Sequence, residues 1–258
     1  MATLAPQRTR SVAGGTRFFT IMAFVMSAII VAGFSVNLAF GRSTFAVPVS
    51  YHVHAVVFMG WIALFLAQHV TASSKNWALH RTLGKFAYFW VPAMVVVGTM
   101  IMLIVARRTG GPFFFNKSEF LISNIVTLWG FGGIAWWALR RQRYTGWHRR
   151  LFLVSMAMLV GPGIGRLLPM PLLIPYAWPI SQALTFLFPV IGMIADKRAT
   201  GSVHPAYKWG LGIYVGLFLA SMVLAYSPLG YAMTEAFVAG TPGADRPMDP
   251  FLPPGFTM

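Results

Sequence analysis

Seven stretches of roughly 20 residues with scarcely a charge in them constrain this chain more than anything else in it. They run over about 18–40, 49–70, 86–106, 120–139, 151–168, 172–194 and 207–227, and each is long enough to cross a bilayer as a helix. With 57% hydrophobic and 10% charged residues in 258, and a mean hydropathy of +0.67, the chain carries more apolar surface than a water-soluble core of this length can hide. In lipid the main chain must satisfy its own hydrogen bonds, which a helix does within one segment. The sequence therefore predicts an all-α polytopic bundle of seven transmembrane helices. Span six holds Pro175, Pro179 and Pro189, so kinks are expected there.

Basic residues alternate between the two sides of these spans. Arg8, Arg10 and Arg17 precede span one, and Lys75, Arg81 and Lys85 follow span two. Arg140, Arg141, Arg143, Arg149 and Arg150 follow span four, and Lys197, Arg198 and Lys208 follow span six. The other side receives Arg42, Arg107, Arg108, Lys117, Arg166 and Arg246. The positive-inside rule then predicts an inside N-terminus and an outside C-terminus, in a bacterial inner membrane. Residues 1–17 read as a cytoplasmic tail leading into an uncleaved first span, because the apolar run is too long for a signal-peptide core and lacks a small-residue cleavage site. Residues 18–227 form the bundle. The Pro- and Gly-rich segment 228–258 reads as an extended outer tail.

A net charge of +15 would point to nucleic acid in a soluble protein, but here the basic residues sit at the ends of apolar runs. Anionic lipid headgroups are the expected partner. The absence of cysteine excludes disulfides, thiolate metal sites and iron–sulfur clusters, which leaves six histidines and fifteen methionines as metal or haem ligands. His52 and His54 stand at the outer end of span two, while His69, His80, His148 and His204 gather at the inner face. On one helix, His54 and His69 differ by about 60° in direction and about 22 Å in height. That is how b-type cytochromes hang two haems on one helix, provided a second helix supplies the opposite ligands. His148 serves at the inner level. At the outer level span five offers Pro162 and Gly163 where a ligand is needed, and then Arg166, so only one inner haem is complete.

The bland reading is that interfacial histidine and arginine are polar anchors. Two features weigh against it. Arg81 and Arg149 begin helices, where the dipole already disfavours cations, so a lipid phosphate, a haem propionate or a substrate anion held there would account for them. Arg166 lies in an apolar span with no acid to pair with it, and either snorkels outward or faces a polar pocket shared with His54 and His52, its helix loosened by the preceding G-P-G-I-G run. The five acids, Glu119, Asp196, Glu235, Asp245 and Asp249, all lie at or beyond span ends, which argues against a carboxylate proton relay.

The H-x-H of His52 and His54, Gln68, the L-H-R-T-L-G-K run to Lys85, W-H-R-R at Trp147–Arg150 and R-L-L-P from Arg166 together resemble the bacterial membrane proteins grouped as domain-of-unknown-function family 2306. The resemblance covers roughly residues 50–170, and implies a multi-helix inner-membrane protein whose repeated His and Arg suggest a cofactor, without supplying an established activity. The favoured expectation is a redox-type membrane protein with haem b or another metal-organic cofactor at the inner ends of spans two, three and five. His69, His80 and His148 are its candidate metal ligands, with His54, Arg81, Arg149 and Arg166 completing the candidate binding residues. The competing expectation is a non-catalytic accessory subunit, or a lipid- or quinone-binding protein, in which the same residues meet headgroups and a partner membrane complex.

Overall fold

The structure, a computed structural model, describes residues 15–256. The tail arginines Arg8 and Arg10 lie outside the described residues. Seven helices are long and apolar enough to cross a membrane. They are α1 (Thr16–Ala39), α2 (Val49–Ser73), α3 (Trp77–Thr109), α4 (Lys117–Arg140), α5 (Thr145–Leu167), the pair α6 (Ala177–Thr185) and α7 (Leu187–Thr200) forming one broken span, and α8 (Pro205–Ala225). A ninth helix, α9 (Pro228–Val238), follows. Among the described residues there is no strand, and the chain is an all-α multi-pass membrane bundle. Apolar side chains such as Phe24, Phe89, Val96, Trp129 and Val223 stand exposed on its outer wall, as lipid-facing residues do.

The helix limits follow from local chemistry. Asn76 accepts the Leu79 amide and Asn116 accepts those of Ser118 and Glu119, capping α3 and α4. Gly110 and Gly201 end α3 and α7 in the left-handed conformation, at φ 71° and 79°. Span six breaks at Phe186 because Pro189 has no N–H to offer the Thr185 carbonyl four residues back, and its ring crowds that carbonyl. The kink expected from its prolines thus has a defined position.

Helix α5 is the most buried of the seven and touches α1, α4, α6, α7 and α8. Its packing against α1 is main chain on main chain. A Cβ added to Gly163 would lie 2.7 Å from Ile30 Cα and 3.0 Å from the Ile29 carbonyl, and one added to Gly33 would collide with the Gly163 carbonyl. The G-P-G-I-G run does not loosen the helix, contrary to the sequence expectation. The helix is continuous through Pro162 to Leu167, and the glycines serve as a contact surface.

The end where α1 begins is the basic end; the other is the far end. At the far end the segment expected to be an extended tail contains α9 and then folds back onto the bundle. Arg246 donates to the carbonyls of Gly110 at 2.6 Å, Pro112 at 2.8 Å and Phe115, and burial lowers its pKa to about 10, which leaves it charged at neutral pH. Asn116 joins Tyr231 and Asp249, and Phe251 N–H reaches the Phe113 carbonyl at 3.1 Å. The segment is a fitted cap.

The α1–α5 contact makes a direct prediction. Gly163→Ala places a methyl against main-chain atoms that cannot rotate away, and should cost about 1–3 kcal/mol. Thermal denaturation in detergent should show it, whereas Gly133→Ala, at a position with open space around it, should leave the midpoint unchanged.

Candidate functional site

Three of the predicted site residues come together at the basic end. His69 ends α2, His80 begins α3 and His148 begins α5, and they are near enough for charge on one ring to act on the others. Each is half-buried and each uses its ring in the same way. The Nδ1 of His69 bonds the Phe65 carbonyl at 2.9 Å, that of His80 the Gln68 carbonyl at 3.1 Å, and that of His148 the Ala138 carbonyl at 2.8 Å. A carbonyl oxygen only accepts, so in all three rings Nδ1 carries the proton and Nε2 keeps its lone pair. Phe65 and Phe152 pack against the His69 and His148 rings and help hold their planes.

Among the described residues no group of three or more His, Cys, Asp or Glu side chains is placed to hold a metal ion. His69, His80 and His148 do not form such a group. They lie around the ends of three different helices, each ring anchored to its own carbonyl. Ligation by two imidazoles across a flat macrocycle does not need that convergence. The main-chain bond on Nδ1 also matches the outer support that ligating histidines carry.

The arginines part company. Arg81 is exposed at the start of α3. Arg149 turns away from the imidazoles and lies over the Phe19 ring of α1, 4.7 Å from its centroid, with Nε and Nη2 buried and without a protein partner. At the far end Arg166 is half-buried. Its guanidinium sits 3.9 Å over the Phe34 ring, donates to the Pro162 carbonyl at 2.9 Å and acts electrostatically on His54. His54 Nδ1 and Arg166 Nε are both buried and without a protein partner, while His52 is exposed and stands apart from them.

Sequence reasoning missed a buried ion pair. Arg150 of α5 and Asp196 of α7, each with a side chain 3% exposed, meet through two parallel hydrogen bonds of 2.6 and 2.7 Å. The His204 amide also donates to Asp196, at 3.2 Å, so the pair ties α5, α7 and the start of α8 together. In the sequence Arg150 looked like one more positive-inside charge, and Asp196 like an acid just past a span. The available signal was that Asp196 is the one acid among the basic loops of that side. His204 caps α8 by accepting the Ala206 amide on Nδ1, and burial, then the Arg150 charge, lowers its pKa from the ordinary imidazole value.

Removing one partner of the pair strands the other charge in a poorly solvated place. Asp196→Asn should destabilise the protein by about 3 kcal/mol or more. The double variant Arg150→Met with Asp196→Leu should recover most of that. Thermal denaturation of the three variants checks it, and a single variant no less stable than the double would contradict the assignment.

Compared with protein-family models, with curated proteins and with solved structures, the chain shows no match.

Proposed function

We propose that this is a multi-pass protein of the bacterial inner membrane that takes part in membrane redox chemistry, binding haem b or a related metal-organic cofactor at the basic end between α2, α3 and α5. The reading rests on the shared tautomer of His69, His80 and His148, which leaves three Nε2 lone pairs at one membrane level. Two of them would ligate the iron, and the Nδ1–H bonds would fix the ring planes and raise the basicity of the ligating nitrogens. When bound, the haem would supply a one-electron change at its iron. Arg81, one residue beyond His80, would be the propionate's charge partner in this reading. The resemblance of the His and Arg motifs to family 2306, an expectation from the sequence alone, is in keeping with this reading and names no activity.

A second reading draws on the far-end pair. His54 Nδ1 and Arg166 Nε are buried polar atoms without a protein partner, and a quinone oxygen or a lipid headgroup would supply the missing acceptor for Arg166. In that case the chain is a non-catalytic lipid- or quinone-binding subunit.

Spectroscopy separates the two. Purified protein titrated with haemin should develop a Soret band of a six-coordinate haem with a reducible α-band at one equivalent. His148→Ala should weaken binding at least tenfold. A preparation that stays colourless and takes up no haemin in a saturable way would refute the haem reading.

The basic end faces the cytoplasm in this proposal, because it carries most of the Lys and Arg. A periplasm-active reporter fused after Met258 should be active and one inserted between Arg140 and Thr145 should not. The reverse pattern would overturn the orientation.

A further inference from the structure

A crevice of about 430 Å³ opens at the basic end between the first turn of α5, the end of α7 and the segment leading into α8. It is distinct from the three imidazoles. Its walls include Thr145, Gly146 and Arg149 of α5, Asp196 of α7, and Ser202 and His204 of the connecting segment. Asp196 is the acid in this wall, and both its oxygens are already engaged: Oδ1 by Arg150, and Oδ2 by Arg150 and the His204 amide. The charge left over belongs to Arg149.

The groups that remain uncommitted around the crevice are donors. Arg149 has Nε and Nη2 buried without a protein partner, its guanidinium carbon 4.7 Å from the Phe19 ring centroid. His204 accepts the Ala206 amide on Nδ1, so its proton is on Nε2, the opposite tautomer to His69, His80 and His148. That Nε2–H stands over Gly146, where an added Cβ would come within 2.9 Å of it. Among the described residues the Thr145 and Gly146 amides have no carbonyl partner. Beside the same ion pair the Tyr207 hydroxyl, fully buried against α7, also has no partner.

We infer that this crevice binds a phosphate ester, with Arg149 as its charge partner and His204 Nε2–H as a second donor. A planar carboxylate would present its acceptors in one plane, whereas a tetrahedral phosphate offers oxygens to α5 and to the α8 lead-in at once. The volume exceeds what inorganic phosphate fills, so the group carries more than its phosphorus centre. Its place at the ends of three spanning helices is headgroup depth. A phospholipid of the adjoining leaflet and a soluble glycerol phosphate share this chemistry. The inference does not depend on the haem reading.

The full chain, purified in a non-ionic detergent and delipidated, is titrated with dioleoyl phosphatidylglycerol, with dioleoylglycerol lacking the phosphate, and with glycerol 3-phosphate, binding being followed by native mass spectrometry and by the thermal midpoint. One equivalent of phosphatidylglycerol should be retained and should raise the midpoint, and dioleoylglycerol should do neither. Arg149→Gln should weaken retention at least tenfold and Arg149→Lys should restore most of it. If Arg149→Gln does not fold, Gly146→Ala, which pushes a methyl against His204, carries the same expectation. Saturable binding of glycerol 3-phosphate that displaces the lipid assigns the soluble source. Equal retention of phosphatidylglycerol by wild type and the folded variant, equal retention of dioleoylglycerol, or no binding of either ester overturns the inference.

Discussion

The contact between Gly33 and Gly163 governs the arrangement of everything else. Lipid tails are as apolar as the helices they surround, so the hydrophobic effect does little to bring two spans together, and close packing must do it. With no side chain on either residue, α1 and α5 meet backbone to backbone, and α5 is drawn into the centre of the bundle. A central continuous helix then fixes its polar residues by angle. Successive residues point about 100° apart. His148 faces α4, Arg149 faces α1 and the crevice, and Arg150 faces α7. Arg166, eighteen residues on from His148, lies over the Phe34 ring of α1 at the other end. Had the glycine run loosened the helix, that register would be lost.

The second constraint is the treatment of charge. A chain with twenty basic and five acidic residues cannot neutralise itself pairwise, so most of its cations must stay in water or headgroups. The exceptions are informative. Arg150 is neutralised by Asp196, while Arg246 is solvated by three carbonyls, Lys117 by the Ala244 carbonyl and Arg166 in part by the Phe34 ring and one carbonyl. Each ties together segments the helices alone would leave free. Arg246 holds the C-terminal cap, and Arg150 joins both halves of the basic end.

The spans were legible because roughly 20 apolar residues in a row have few other fates, and the helical limits differ from the apolar windows mainly where polar residues continue the helix. Helix α3 begins at Trp77 rather than near 86, since His80, Arg81 and Lys85 remain helical at the interface although they lower the local hydropathy. The three-histidine level was legible too, from topology alone. Its chemistry was not, because the proton on each Nδ1 is set by which carbonyl lies opposite. The Gly33–Gly163 contact spans 130 positions and the Arg150–Asp196 pair 46, and nothing local marks either. Glycine near proline reads as flexibility until its partner is known. The 228–258 segment has the composition of a loose tail, but its described part, to residue 256, is held by carbonyls presented by the α3–α4 turn.

One residue type thus does two opposite things within a single membrane level. Where Nδ1 meets a main-chain carbonyl, as at His69, His80 and His148, the imidazole turns a lone pair toward its surroundings. Where Nδ1 meets a main-chain amide, as at His204, it turns an N–H. The carbonyls belong to Phe65 and Gln68 inside α2 and to Ala138 in the last turn of α4, and the amide is that of Ala206 in the first turn of α8. The basic end is accordingly divided in two by α5, with electron-pair donors toward α2, α3 and α4, and proton donors toward α7 and α8. A metal centre suits the first half and an anion the second, and the main-chain group opposite each Nδ1 decides which is which.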